Sequence, residues 1–257
     1  MLTVTPIPAF TDNYIWMLQN ENNQAVIVDP GDAQVVINAL DENQLNLVAI
    51  LITHHHYDHT DGVRALCEKY SIPVYGPKDS KFNGISQTLN DGDNVEVLGH
   101  SFKIKSIPGH TLDHISYLYD DPSSPLIFCG YTLFLAGCGR VFEGTMGQML
   151  SAMHYFKSLD KKTKVYCTHE YSLNNLAFAH TVEPDNIDIK DKIVQCKKLR
   201  KQNLPTLPST IENELLINPF LRCDVLNVKQ HASAYATQPL DSELGVFSTI
   251  RQWKNVF

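Results

Sequence analysis

Seven consecutive residues, Thr53-His54-His55-His56-Tyr57-Asp58-His59, constrain this chain more than any other stretch. They follow an apolar run at 47–52 that reads as a strand and precede a helical pattern at 62–70. Neutral imidazole is a good ligand for zinc and similar ions, and carboxylate adds hard anionic character, so His-x-His-x-Asp-His supplies two adjacent metal positions. A loop that ends a strand aims alternate side chains at one point. Four of the 11 histidines fall in this window, which a surface accident does not explain.

Two further histidines sit just beyond apolar strand candidates. Pro108-Gly109-His110-Thr111 follows the run at 102–107, and Thr168-His169-Glu170 follows the run at 164–167. Alone, each reads as a structural hydrogen-bonder; with the first cluster they complete a set of five histidines and one aspartate. His100, His114, His154, His180 and His231 lack such a setting and read as structural.

Through about residue 170 the chain alternates short β-rich runs (2–7, 14–18, 25–28, 47–52, 102–107, 115–119, 126–129, 164–167) with helical patterns at 33–40, 62–70 and 146–159. Pro30-Gly31, Asn90-Asp91-Gly92 and Pro108-Gly109 read as turns. This predicts sheets covered by helices. Beyond residue 170 the patterns at 173–180, 187–202, 210–216 and 242–253 read as helices around a proline-broken loop at 203–209. The expected division is a metal-binding domain over 1–170 and a helical domain over 171–257, which 257 residues accommodate.

Composition removes other classes. The formal charge of −7 argues against a nucleic-acid face. Hydrophobic residues at 43% and charged residues at 19% argue against disorder. The longest apolar run, 47–52, is far short of a membrane span. The first residues show no basic segment followed by an apolar one, so the expected location is cytoplasmic and the default assembly a monomer. Six cysteines without a CxxC pair read as reduced, not as a disulfide framework or zinc cage.

The histidine motif, Pro108-Gly109-His110-Thr111, the loop Thr132-Leu133-Phe134-Leu135-Ala136-Gly137-Cys138-Gly139-Arg140-Val141-Phe142-Glu143-Gly144-Thr145 and Cys167-Thr168-His169-Glu170-Tyr171 resemble the glyoxalase II (hydroxyacylglutathione hydrolase) family of the metallo-β-lactamase superfamily. The resemblance covers nearly the whole chain. It implies an α/β fold, an αββα sandwich followed by a small all-helical C-terminal domain. It also implies two divalent metal ions, most often zinc, with iron or manganese as alternatives. One would be held by His54, His56 and His110, the other by Asp58, His59 and His169, with Asp58 also orienting the attacking hydroxide. The implied reaction is hydrolysis of a glutathione thioester, chiefly S-lactoylglutathione, to glutathione and D-lactate, the second step of methylglyoxal detoxification. Two dications lower the pKa of a bound water toward about 7, and thiolate leaves readily, so no serine or cysteine nucleophile is required. The family's glutathione contacts map onto Arg140, Phe142, Tyr171, Arg251 and Lys254. No nucleic-acid or membrane partner is implied.

Two positions depart from the family. Tyr131 stands in Gly130-Tyr131-Thr132-Leu133 where the family has a metal-bridging aspartate, and Phe142 replaces a frequent tyrosine. Tyrosine brings one oxygen, with a reference pKa of about 10, on a bulky ring, where aspartate brings a full charge and two oxygens. Weaker metal binding and reduced turnover are expected. Two other readings follow: a catalytically silent protein binding glutathione conjugates, and a related superfamily enzyme such as a persulfide dioxygenase with a single iron.

Overall fold

A computed structural model describes residues 2–257. The chain forms two compact units that interleave along the sequence. The first comprises the chain through Ile107, Asp113–Gly130 and Tyr166–His169; the second comprises Pro108–Leu112, Tyr131–Val165 and Glu170–Phe257.

The first unit contains β1 (Thr3–Ala9), β2 (Asn13–Gln19), β3 (Gln24–Val28), α1 (Ala33–Asn43), β4 (Asn46–Leu51), α2 (Tyr57–Thr60), α3 (Val63–Tyr70), β5 (Val74–Pro77), β6 (Gln87–Leu89), β7 (Asn94–Val97), β8 (His100–Ser106), β9 (Ile115–Tyr119) and β10 (Leu126–Gly130). Strands β1 to β6 form one sheet in sequence order, antiparallel through β3 and parallel from β3 onward. Strands β10, β9, β8 and β7 form an antiparallel run in a second sheet. The sequence dictates these roles. Ala25, Val26, Ile27 and Val28 are all buried, as the near-continuous apolar run of a central strand requires. In β8, Phe102 and Ile104 point inward while Lys103 and Lys105 pair outward with Asp120 and Asp91.

The two sheets face each other. Tyr117 of β9 is fully buried and donates to the carbonyl of Ile52 at 2.8 Å, and burial pushes its phenol well above the ordinary value. Trp16 of β2 donates to the carbonyl of Cys167 at 3.0 Å and meets the Tyr166 ring at 4.8 Å. On the other face of the first sheet, Val36 and Leu40 of α1 and Val63 and Leu66 of α3 join one core with Ile27, Ile50 and Ile52. Each such side chain contributes about 1.5–3 kcal/mol on burial. Asp32 starts α1 by accepting from the backbone of Gln34 at 2.8 Å.

The second unit contains the β11 (Leu133–Phe134) and β12 (Gly137–Cys138) hairpin, α4 (Met146–Lys157), α5 (Ser172–Val182), α6 (Ile187–Lys201), the short β14 (Ser209–Thr210), α7 (Ile211–Ile217), α8 (Leu226–Ala236) and α9 (Glu243–Val256). Strand β13 (Lys164–Cys167) divides between the units: Tyr166 and Cys167 belong to the first, while Lys164 and Val165 pair with β14 in the second. Thr145 and Gln148 cap α4 reciprocally, at 3.1 and 2.8 Å. None of the six cysteines is in a disulfide. Among the described residues no helix is long and apolar enough to cross a membrane.

Candidate metal centre

In the first unit the ligand-rich loops leave the ends of β4 and β13 and the turn between β1 and β2. The backbone of Thr168 is tied to β2 by an isolated bridge between Asn13 and His169. Asp58 Oδ2 stands 3.5 Å from His59 Nε2 and 3.5 Å from His169 Nε2, and His59 is fully buried. Asn13 donates to the same oxygen at 3.0 Å. The other nitrogens of both rings lie beside carboxylates: His169 Nδ1 is 2.8 Å from Asp12 Oδ1, and His59 Nδ1 is 2.9 Å from Asp29 Oδ2. Each carboxylate stands on the Nδ1 side of its ring, which leaves Nε2 facing Asp58. Burial alone would raise the Asp58 pKa. The hydrogen bond from His169 and the positive character of His59 outweigh it and hold the carboxyl well below the usual range. Burial opposes charge on His169, but Asp12 and Asp58 raise its pKa above the ordinary imidazole value.

This geometry fits a divalent ion. Ligands about 2.1 Å from a tetrahedral centre stand about 3.4 Å apart, and the two Asp58–imidazole separations are 3.5 Å. His59 Nε2 makes no hydrogen bond although it is buried. Leaving such an atom unpaired costs about 1–3 kcal/mol, which a bound cation removes. A second pair converges nearby in the sequence: His54 Nε2 and His56 Nδ1 are 3.2 Å apart, and Thr53 Oγ1 stands 3.1 Å from His54 Nδ1.

Asp29 anchors this loop. Its oxygens accept the backbone N–H and the hydroxyl of Thr53, each at 2.7 Å, and its backbone is left-handed, with φ of 54°. Sequence reading marked the adjacent Pro30-Gly31 turn but not Asp29, Asp12 or Asn13, whose partners lie far away in the chain. His114, read as structural, is buried and stacks on His54 with centroids 4.5 Å apart. His55 pairs with Asp113 at 2.9 Å.

The second unit carries the remaining expected residues. His110 Nδ1 lies 2.8 Å from the carbonyl of Arg140. The ring of Tyr131 stacks on His110 with centroids 4.0 Å apart and planes 17° apart. Tyr131, Phe134, Cys138, Arg140, Tyr171, Asn174, Arg251 and Lys254 are among the residues lining a cavity of 440 Å³. Phe142 is not in that lining; it is 59% exposed, with the Arg140 guanidinium 5.5 Å from its ring. Arg251 is buried and donates to the carbonyl of Cys138 at 2.6 Å. Burial and the neighbouring Arg251 push the Lys254 ammonium down to about 8.

A buried polar cradle, invisible to sequence reading, sets the cavity hairpin. Asn218 donates to the carbonyls of Phe134 and Gly137 at 3.1 and 3.0 Å. Glu214 accepts the backbone N–H of Ala136 at 2.8 Å, where φ is 53°. Asn175 donates to the carbonyl of Leu135 at 3.2 Å. Burial raises the Glu214 pKa despite these donors.

The sandwich and its histidine loops define a member of the metallo-β-lactamase superfamily: the family model of that description matches residues 10–169. The crystal structure of BLEG-1 B3 metallo-beta-lactamase is similar over 86% of this chain and 99% of its own, with a TM-score of 0.64 at 25% identity. A second model, "Hydroxyacylglutathione hydrolase C-terminus", matches residues 170–257. The chain is 45% identical to a hydroxyacylglutathione hydrolase of Photobacterium profundum and 48% identical to one of Chromohalobacter salexigens, each comparison covering 100% of both chains. The chain belongs to the hydroxyacylglutathione hydrolase family.

Proposed function

We propose that this chain is a thiolester hydrolase that cleaves S-(2-hydroxyacyl)glutathione, chiefly S-lactoylglutathione, to glutathione and a 2-hydroxy acid. The observation that carries the reading is the placement of two buried imidazole nitrogens 3.5 Å from Asp58 Oδ2; full-length relatives with that activity in their names support the substrate class. We assign one divalent ion to Asp58, His59 and His169 and a second to His54, His56 and His110, with zinc as the expected metal. When bound, such ions supply Lewis acidity toward the thioester carbonyl and acidify water.

The chain's own residues do the rest. Asp12 and Asp29 hold the His169 and His59 rings in register, and Asn13 fixes the Asp58 carboxylate. Asp58 stays anionic at neutral pH and orients the attacking group. Arg140, Arg251 and Lys254 attract the carboxylates of the glutathione moiety, and Tyr171 offers its ring and hydroxyl to the same moiety. The departing glutathione thiolate is a good leaving group and requires no strong acid.

Tyr131 cannot reproduce the charge and two-oxygen reach of the family's bridging aspartate, so turnover is lower than in the Tyr131→Asp variant. The test is free-thiol release from S-lactoylglutathione by zinc-reconstituted protein and by that variant, with metal per chain measured alongside. Release by the parent, faster in the variant, is expected. Binding without release by either form points instead to a silent conjugate-binding protein and overturns the hydrolase reading.

A further inference from the structure

Position 131 is where this chain parts from its family, and its side chain has a definite seat. Gly139 donates to the carbonyl of Thr132 at 2.9 Å. A Cβ on Gly139 would stand 1.9 Å from the Tyr131 carbonyl oxygen and 3.0 Å from its ring, so the glycine permits this placement. One neighbour of the ring is His110, stacked nearly parallel; another is Phe134, edge-on at 4.8 Å and 90°. The lining of the cavity around Tyr131 is of two chemical kinds: Tyr131, Phe134 and Tyr171 are aromatic, whereas Arg140, Arg251 and Lys254 are cationic. Phe134 and Tyr171 are themselves in contact, with centroids 5.5 Å apart.

We propose that Tyr131 is a specificity-determining wall of the glutathione cavity and not a metal ligand, its ring receiving the apolar substituent on the sulfur of a glutathione conjugate. The proposal rests on the glutathione reading above. The cationic side chains draw the carboxylates of glutathione, which leaves the sulfur and its substituent to the aromatic side chains Tyr131, Phe134 and Tyr171. An aromatic wall held by a stack on one side and an edge contact on another loses little freedom when a ligand packs against it, so its contact surface is available at low entropic cost. An aspartate at this position would offer charge instead, and would repel an apolar substituent by the desolvation it imposes.

The test uses metal-free, full-length protein and two conjugates that contain no thioester, S-methylglutathione and S-benzylglutathione, titrated by calorimetry. The benzyl conjugate is expected to bind about three- to tenfold more tightly than the methyl one. Tyr131→Phe keeps that ratio, while Tyr131→Ala and the bulkier Tyr131→Leu lose it. A parent that binds the two equally, or a ratio that survives in both Tyr131→Ala and Tyr131→Leu, overturns the wall. Failure of the parent to bind either conjugate overturns the glutathione reading itself, a different result from equal binding. Zinc per chain after reconstitution is the second readout: Tyr131→Phe retains the parent's content, and a loss there overturns the claim that Tyr131 is not a ligand.

Discussion

Gly31→Ala tests whether the backbone beneath the metal loop sets the position of Asp58. A Cβ at Gly31 would stand 2.0 Å from the Asp58 carbonyl oxygen, 2.5 Å from its carbon and 2.8 Å from the Phe10 ring. Contacts below 3.0 Å are not sustained, so the Asp58 backbone has to retreat by about 1 Å, against a tolerance of about 0.2 Å in metal–ligand distances. The glycine itself is held, donating to the carbonyl of Asp29 at 2.9 Å, so the turn does not absorb the shift. Overpacking of this kind costs about 1–3 kcal/mol of stability, and a misplacement of about 1 Å costs on the order of 10²-fold in turnover. Chelator competition for zinc, urea unfolding and thiol release measure the three effects on one preparation. Zinc affinity within twofold of the parent would refute the argument that this packing positions Asp58.

Two further outcomes follow from the second unit. Asn218→Ala leaves the buried carbonyls of Phe134 and Gly137 without that donor, and urea unfolding is expected to show a loss of about 2–4 kcal/mol; a loss below 0.5 kcal/mol, on the order of an ordinary surface change, contradicts the cradle. Lys254 titrates near 8, so its charge is present below that pH and lost as pH rises through it. The Kd for S-methylglutathione is therefore expected to rise about tenfold from pH 7 to pH 9, and Lys254→Arg to flatten that profile; an equal rise in both proteins removes Lys254 as the cause.

Much of the sandwich was legible because its strands carry their burial in their residues. The runs at 25–28 and 47–52 and the alternation in β8 each predict a strand with a known face. The short strands β5 to β7 were missed, as were the two-residue β11, β12 and β14, because lengths of two to four residues carry too little periodicity. Helix α8 was missed because it buries only Val228 and Ala232, a stripe too thin to read. For the site, adjacency made His54, His56, Asp58 and His59 visible, and the strand-end setting exposed His110 and His169. The residues that orient them were not legible, since Asp12 meets His169 across 157 positions and Asp29 meets Thr53 across 24. Glu214 and Asn218 carry no signal of burial in the sequence; their burial exists only once the hairpin at 133–138 lies against them.

The tie between Asn13 and His169 has a consequence for the chain during its own synthesis. At about 5–20 residues per second, roughly 8–30 s separate the emergence of Asp12 from that of His169. Over the last part of that interval, the roughly 2–7 s between the emergence of Gly130 and that of Lys164, β10, whose five residues are all buried in the finished protein, lacks its β13 neighbour and offers an apolar, unpaired edge to any passing strand. A nascent chain halted before Lys164 is thus the form most in need of chaperone cover, and the closing of β13 that ends this exposure also delivers the last imidazole to Asp58.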